Sequence, residues 1–285
     1  MANIAKLMGV EIANITKVMG VSKSTLSKIM GLSLAKATGG TITTSGGYTI
    51  HTFTAGGTFT ALVNMNVEYL VVAGGGGGGG GYQGGGGGAG GYLAGTGHAV
   101  TPQAYAITVG GGGNGCTGVA AANGSNSVFD TKTAVGGGRG GSESPNATPN
   151  TGGSGGGGTW DGSTAQNGAA GTAGPPIQGY AGGNAVVDAP YGANNIGGGG
   201  GGGSSGAGSN GVTDVTQAPG GPGTSNSISG GAVTYAAGGK GALRSRGANG
   251  ANASDNTGNG GEAGGAGGDS TGGNGGSGIV IIRYT

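Results

Sequence analysis

Few residues in this sequence are of the types that perform catalysis, and their spacing matches no catalytic site. His51 and His98 are the only histidines, and a single histidine in a β-rich stretch is typical of a structural residue, not a general base. The pattern G-x-S-x-G occurs at 152–156, but without the strand-to-helix turn that exposes a nucleophile. The GGKG at 238–241 lacks the Ser or Thr of a phosphate-binding loop. We therefore expect no enzymatic activity and no cofactor.

The acidic residues and the cysteine point to no metal site either. Asp255, Glu262 and Asp269 lie seven apart and could line one side of a tract around a cation, but solvated edges are the better interpretation. Cys116 is the only cysteine, which excludes an internal disulfide and a cysteine-based zinc cluster. We expect it to be a buried, inert thiol, and we expect no bound metal.

Composition narrows the class of protein further. Glycine supplies 84 of the 285 residues, a level common in disordered chains, yet only 7% of residues are charged and the net charge is +1. Near-neutral charge argues against nucleic acid as a partner. No secretory signal is visible, and no apolar run reaches the roughly 18 residues of a membrane span. We expect a protein made in the cytoplasm without a signal peptide and not inserted in a membrane.

The first 38 residues contain a repeat with a period of eleven. IAKLMGV, ITKVMGV and LSKIMGL place Gly9, Gly20 and Gly31 in register, and apolar residues lie three apart within each copy. This spacing fits a short helical turn ended by a glycine cap. We predict three short stacked helices in residues 1–38. One continuous helix and a membrane-surface helix are the alternatives, the first disfavoured by about 1 kcal/mol per interior glycine.

Such short helices cannot bury an apolar stripe alone, so residues 1–38 are predicted to attach the protein to a partner or to oligomerise it. The residues expected to form this contact are the apolar ones of the repeats: Ile4, Leu7, Ile15, Val18, Leu26 and Ile29.

Two apolar strands are expected to bracket the glycine-rich part of the chain. Between residues 40 and 73, short runs of Thr, Ile, Tyr, Phe and Val separated by glycine pairs predict strands, near 41–44, 48–54, 58–63 and 67–73. A further apolar strand is predicted in SGIVIIRYT at the C-terminus. Pairing of the two bracketing strands would close the insert into one unit at a modest entropic cost. We predict a β-strand collar at 39–66 and a glycine-rich domain at 67–285, closed by strands 67–73 and 279–284.

The glycine tracts themselves are predicted to form the core of that domain. Residues 260–278 repeat GGX with a period of three, the period of a polyproline II helix, which makes no internal hydrogen bonds. A bundle of such helices can hydrogen-bond sideways, and only glycine permits the close backbone approach. The predicted fold class is therefore mostly β and irregular, with short N-terminal helical repeats, a small β-strand collar and packed polyglycine II-type helices.

The pattern GYTIHTF…GTFT…VEYLVVAGGGGGG, closing with GGSGIVIIRYT, resembles the glycine-rich domain of bacteriophage tail-fibre and adhesin proteins, over roughly residues 40–285. The N-terminal repeats resemble short repeats that begin phage virion proteins. The resemblance implies a sandwich of polyglycine-type helices whose variable loops contact a bacterial surface receptor, a protein or a glycan. It also implies a virion location, synthesis in the host cytoplasm, contacts with other virion proteins through the repeats, and a homotrimer.

The non-glycine insertions between the tracts are the candidate receptor-binding loops. Trp160, Tyr180 and Tyr191 offer flat amphipathic faces, Asp161 lies beside the first of them, and Arg244 and Arg246 could meet phosphate or carboxylate groups. These aromatic residues could equally cap exposed edges of the bundle. A structural fibre or decoration protein of the capsid or tail, without receptor binding, is the alternative function, and an ice-binding or matrix protein is a third.

Overall fold

The described part of the chain consists of strands and extended segments, and it contains no helix. The computed structural model describes residues 35–285, except for 144, 173, 175, 188–195, 213–215, 243–247 and 266–269, and only six two-residue strands before residue 35. The strands are β1 (Lys6–Leu7), β2 (Val10–Glu11), β3 (Lys17–Val18), β4 (Val21–Ser22), β5 (Lys28–Ile29), β6 (Leu32–Ser33), β7 (Ala37–Thr38), β8 (Thr41–Ser45), β9 (Tyr48–Phe53), β10 (Gly57–Ala61), β11 (Met65–Val72), β12 (Tyr92–Val100), β13 (Ala104–Thr108), β14 (Ser127–Phe129), β15 (Lys132–Ala134), β16 (Val186–Val187), β17 (Ile196–Gly197), β18 (Thr224–Asn226), β19 (Val233–Tyr235) and β20 (Ile279–Tyr284).

The prediction of N-terminal helices is wrong. Each repeat contains an antiparallel strand pair, β1 with β2, β3 with β4 and β5 with β6. Only two residues separate the strands of a pair, and the second of them is the glycine of the repeat, the residue that two-residue hairpin loops prefer. Leu7 pairs with Val10 across this connection. The last two of the apolar residues spaced by three in each repeat, such as Leu7 and Val10, are therefore cross-strand neighbours and do not share one face of a helix.

The larger strands form two five-stranded sheets. Sheet A has the order β12-β11-β20-β9-β8, and sheet B has the order β15-β14-β13-β10-β7. An apolar core lies between them and includes all three phenylalanines of the chain, Phe53, Phe59 and Phe129, each at most 4% exposed. The phenylalanines thus all lie in this one sandwich core.

The two apolar runs that bracket the glycine-rich residues form neighbouring strands, β11 and β20. β11 lies antiparallel to β20, with Leu70 opposite Ile281, at the centre of sheet A. Alternate residues of both strands, such as Val71 and Ile282, face the core against sheet B. The residues between them, such as Leu70 and Ile281, face a second apolar cluster that includes Tyr235. Because both faces of sheet A are covered, its central strands are continuous apolar runs.

The glycine tracts form a lattice of extended segments, which agrees with the predicted sideways hydrogen bonding. In residues 74–79, amides three apart donate to the same neighbouring segment, and successive amides donate to three different segments. Gly74 and Gly77 donate to Ser125 and Ala122, Gly75 and Gly78 to Gly276 and Gly273, and Gly76 and Gly79 to Gly88 and Gly85, over 2.8–3.0 Å. This three-residue repeat is that of the polyproline II conformation.

Close approach explains why these positions are glycine. A Cβ atom on Gly87 would overlap the carbonyl group of Gly76, and one on Gly75 would overlap that of Asn259. Side chains are therefore excluded at these positions, where a neighbouring carbonyl group lies too close for a Cβ atom. The backbone replaces side-chain packing as the core of this part of the protein.

Amide and carboxylate side chains complete the lattice at one of its edges. The backbone amides of Thr271, Asn274 and Ser277 donate to side-chain Oδ1 atoms over 2.8–3.2 Å, with the same three-residue period. The acceptors are Asn249, Asn252 and Asp255, in that order. Of the acidic residues spaced by seven, Asp255 thus serves as an acceptor in this ladder, and Glu262 forms an ion pair with Lys240 at 2.8 Å. Asp269 lies outside the described residues.

Candidate functional site

The hydrogen-bond register gives the glycine lattice two distinct ends. Residues 73–79 lead away from β11, residues 80–84 form a turn, and residues 85–91 return to β12 beside the first segment. The turn therefore lies at the end remote from the sheets. The described residues at this end are those of turns 80–84, 116–121 and 159–166, together with 142–143, 145–148, 186–187, 196–197, 264–265 and 270–271, and we call them the end face.

Turn 80–84 lies at the centre of the end face because turns from several tracts bind to it. The Thr159 hydroxyl donates to the Gln83 carbonyl at 2.8 Å. The Ser270 hydroxyl donates to the Gly81 carbonyl at 2.7 Å. The Ala242 amide donates to the Gly84 carbonyl at 2.9 Å. These contacts fix the turns relative to one another.

Tyr82 and Gln83 are the two residues of this central turn that are not glycine, and they differ in exposure. Gln83 is buried, whereas Tyr82 is 40% exposed and its backbone amide donates to Glu143 Oε2 at 2.9 Å. The central turn thus presents one aromatic ring to solvent on a backbone held by neighbouring turns.

Trp160 stands on a second turn of the end face, and Asp161 holds that turn in shape. Asp161 Oδ1 accepts hydrogen bonds from the amides of Ser163 and Thr164, at 2.9 and 2.8 Å, and from the Ser163 hydroxyl at 2.7 Å. The Thr164 hydroxyl donates to Oδ2 at 2.9 Å. Gly162 supplies the positive φ of 94° at the tip of this turn, and a bridge between Trp160 and Ala165 closes it.

These hydrogen bonds lower the pKa of Asp161 well below its ordinary range, with the Thr164 amide the largest cause and the Ser163 hydroxyl the next. The carboxylate is therefore negative at any ordinary pH and is engaged by its own turn. Asp161 positions the half-buried Trp160, so the ring and not the carboxylate is the part of this turn that offers a binding face.

Tyr180 does not lie on the end face. Its amide donates to the Gly203 carbonyl at 3.0 Å, and the next residue of that segment, Ser204, donates to Ala236 at 2.9 Å. Ala236 is buried in the cluster against sheet A. Tyr180, 41% exposed, is therefore at the sheet end of the lattice.

The remaining predicted receptor contacts, Tyr191, Arg244 and Arg246, lie outside the described residues. Of the predicted oligomerisation residues, Leu7, Val18 and Ile29 belong to the N-terminal strands, and Ile4, Ile15 and Leu26 lie outside the described residues. Leu7, Val18 and Ile29 each lie in an antiparallel strand pair, not on a helical stripe.

The chain enters the sandwich at the end opposite to the end face. The Lys36 ammonium donates to the carbonyl oxygen of the C-terminal Thr285 at 2.7 Å, and the amide of Leu62 donates to the Lys36 carbonyl at 2.9 Å. Both contacts lie beyond the ends of β20 and β10 that are farther from the glycine tracts. The chain thus continues from residues 1–34 into the end of the molecule that lies opposite to the end face.

The histidines occupy structural positions in the sandwich. His51 Nδ1 lies 2.7 Å from the Gly39 carbonyl and Nε2 lies 3.2 Å from the Tyr284 hydroxyl. Burial lowers the pKa of His51, partly offset by the bond to Gly39, so the ring is neutral at pH 7. His98 lies 3.0 Å from Asp130 and packs against Tyr69 and Phe129.

The described ranges contain neither a metal-binding cluster nor a membrane-spanning helix. There, no three His, Cys, Asp or Glu side chains are grouped closely enough to bind a metal ion. Nor is any helix there long and apolar enough to span a bilayer.

Sequence reasoning missed Tyr82 and Gln83. The signal for them is the YQ pair, which interrupts the long glycine run of residues 74–88 at its midpoint. Larger residues within a glycine run indicate a turn, because the segments of the lattice consist mainly of glycine. Turn 80–84 connects segments 73–79 and 85–91, and it therefore lies at the centre of the end face.

A protein-family model described as "Glycine-rich domain" matches residues 52–285. No curated protein matches the sequence.

Proposed function

We propose, from the premise that the chain belongs to the glycine-rich domain family, that it is a structural protein of a bacteriophage virion that recognises a bacterial surface receptor. The end face would contact the receptor, a protein or a glycan, as part of a tail fibre or tail tip. Residues 1–38 would attach the protein to other virion proteins and assemble a homotrimer. The protein would be made in the host cytoplasm, and its action would be adhesion without catalysis.

The observation that carries this proposal is that the molecule has two different ends. The turns of the end face meet around turn 80–84, and the N-terminal segment joins the sandwich at the opposite end. An adhesin needs this arrangement, because one end must remain attached to the particle while the other reaches the cell. The hydrogen-bonded lattice between the two ends keeps the turns in fixed positions, which lowers the entropic cost of binding.

Aromatic rings on fixed turns suit receptor recognition. Tyr82 and Trp160 can each cover a sugar ring or an apolar protein patch, and both stand on turns held by hydrogen bonds. Each ring is expected to contribute on the order of 1–2 kcal/mol to binding.

Cell-binding measurements with matched variants test the proposal. The full-length protein, fluorescently labelled, is titrated onto a panel of bacterial strains, and Tyr82→Ala and Trp160→Ala are compared with Tyr180→Ala on the strain that binds. Tyr82 and Tyr180 are equally exposed, 40% and 41%, but lie at opposite ends, so Tyr180→Ala is a control for loss of an exposed ring. We expect affinity to fall about tenfold for the end-face variants and to be unchanged for the control. Equal affinity for all three variants would refute recognition through the end face and favour a structural spacer.

A further inference from the structure

A groove of about 400 Å³ lies on the side of the glycine lattice. Four lattice segments line it, with residues from 219–222, 237–240, 251–254 and 259–262. None of these residues belongs to the end face, so the groove is independent of the proposed receptor site. Its lining segments are about four residues long, which corresponds to roughly 12 Å of polyproline II chain at about 3.1 Å per residue.

Several backbone groups of the lining residues form no hydrogen bond within the part of the chain that the structure describes. Among the described residues, the carbonyl groups of Gly220, Gly238 and Gly260 accept no hydrogen bond, and the amide of Lys240 donates none. In the interior of the lattice, by contrast, the amides of residues 74–79 are all paired. The side chains of Asn249, Asn252 and Asp255, which accept hydrogen bonds from amides of residues 271–277, form none with these groups. The groove thus has the backbone donors and acceptors of a lattice position that lacks one neighbouring segment.

The side chains around the groove specify what would fit. Pro219, Pro222, Ala251 and Ala253 are small and apolar, and the two charged residues, Lys240 and Glu262, neutralise each other in an ion pair of 2.8 Å. The groove therefore suits an uncharged occupant with small side chains. Carbonyl groups need N–H donors, so a glycine-rich chain satisfies them and a proline chain does not.

We propose that this groove binds an extended glycine-rich segment of a partner polypeptide, which lies in it as one more member of the lattice. Its backbone amides donate to the free carbonyl groups of Gly220, Gly238 and Gly260, and one of its carbonyl groups accepts from the Lys240 amide. Glycine is required where the segment approaches the floor at residues 238–239, for the same steric reason that excludes side chains inside the lattice.

Nuclear magnetic resonance of the isotope-labelled full-length protein tests the proposal. The probe is a peptide with the sequence of residues 272–278, GGNGGSG, and a proline heptapeptide, which is also extended but lacks N–H groups, is the comparison. We expect the glycine peptide to shift amide signals of Gly220, Gly221 and residues 237–240 and 251–254, saturating with a dissociation constant on the order of 1 mM. The proline peptide should leave these signals unchanged.

Two variants localise the effect. Ala251→Trp fills the groove from an exposed position, and Ala207→Trp adds the same ring at an exposed position outside it. Both should retain the dispersed spectrum of the folded protein, and only Ala251→Trp should weaken peptide binding, by about tenfold or more. Three results would overturn the proposal: no shift with the glycine peptide, equal shifts with the proline peptide, or shifts of the same amides with protein concentration alone, which would place a second copy in the groove.

Discussion

Replacing Gly87 by alanine should unfold the protein at a much lower temperature than replacing Gly111. Gly87 lies inside the lattice, where its amide donates to Gly261 and its carbonyl accepts from Gly239, each at 2.9 Å. A Cβ atom there would overlap the Gly76 carbonyl, so one segment must move. Overpacking costs about 1–3 kcal/mol, and loss of the two hydrogen bonds adds about 1 kcal/mol each. The expected destabilisation is therefore about 3–5 kcal/mol.

Gly111 is the matched control because a Cβ atom on it would have no heavy atom within 4 Å and its backbone does not require a positive φ. Gly111→Ala should be neutral or stabilising by about 0.4–1 kcal/mol, through the smaller entropy of the unfolded chain. Thermal unfolding followed by calorimetry measures both. We expect Gly87→Ala to lower Tm by about 10 °C, at roughly 2–4 °C per kcal/mol for a domain of this size. Equal Tm values for the two variants would refute the idea that close backbone packing stabilises the tracts.

Two further predictions concern the sandwich and the lattice edge. Because burial holds the pKa of His51 below its ordinary value of 6.5, the unfolded chain binds a proton that the folded chain excludes, so stability present above about pH 6.5 is lost as the pH falls below it. The urea midpoint should therefore fall between pH 7.5 and pH 5 in the natural protein and less steeply in His51→Gln; parallel slopes would contradict this. Asn252→Ala removes the acceptor of the Asn274 amide and should cost about 1 kcal/mol by urea unfolding, whereas Asn252→Asp, which keeps an oxygen there, should cost less. An equal loss for both would show that the side-chain ladder does not stabilise the lattice.

The sequence predicts the glycine lattice and its closure better than it predicts anything else in the fold. The GGX period has one physical meaning, since a chain with three residues per turn and no side chains can pair in three directions. The apolar runs of β11 and β20 are equally informative, because only strands covered on both faces lack polar alternation.

The N-terminal repeat shows where periodicity is ambiguous. A spacing of three fits one face of a helix, and it also fits the two residues that flank a two-residue hairpin loop, as in Leu7 and Val10. The glycine of each repeat, Gly9 in the first, decides between them. It is unfavourable inside a helix and preferred in the hairpin loop.

The candidate site was only partly predictable because the sequence does not tell which end of the lattice a loop occupies. Trp160 and Tyr180 stand in neighbouring insertions, yet the chain runs the length of the lattice between them and they lie at opposite ends. Tyr82 was hidden within a glycine run. The role of Asp161 depends on backbone amides of its own turn, which spacing alone does not reveal.

Amide hydrogen exchange tests the central claim most directly, that the glycine backbone is the core of residues 74–91 and of the segments around them. Measured residue by residue, the amides of Gly75, Gly78 and Gly87 should be protected to a degree similar to that of Leu70 in sheet A, and the exposed amide of Gly162 should exchange rapidly. Exchange of the tract amides at the rate of an unfolded peptide, with Leu70 still protected, would contradict the account.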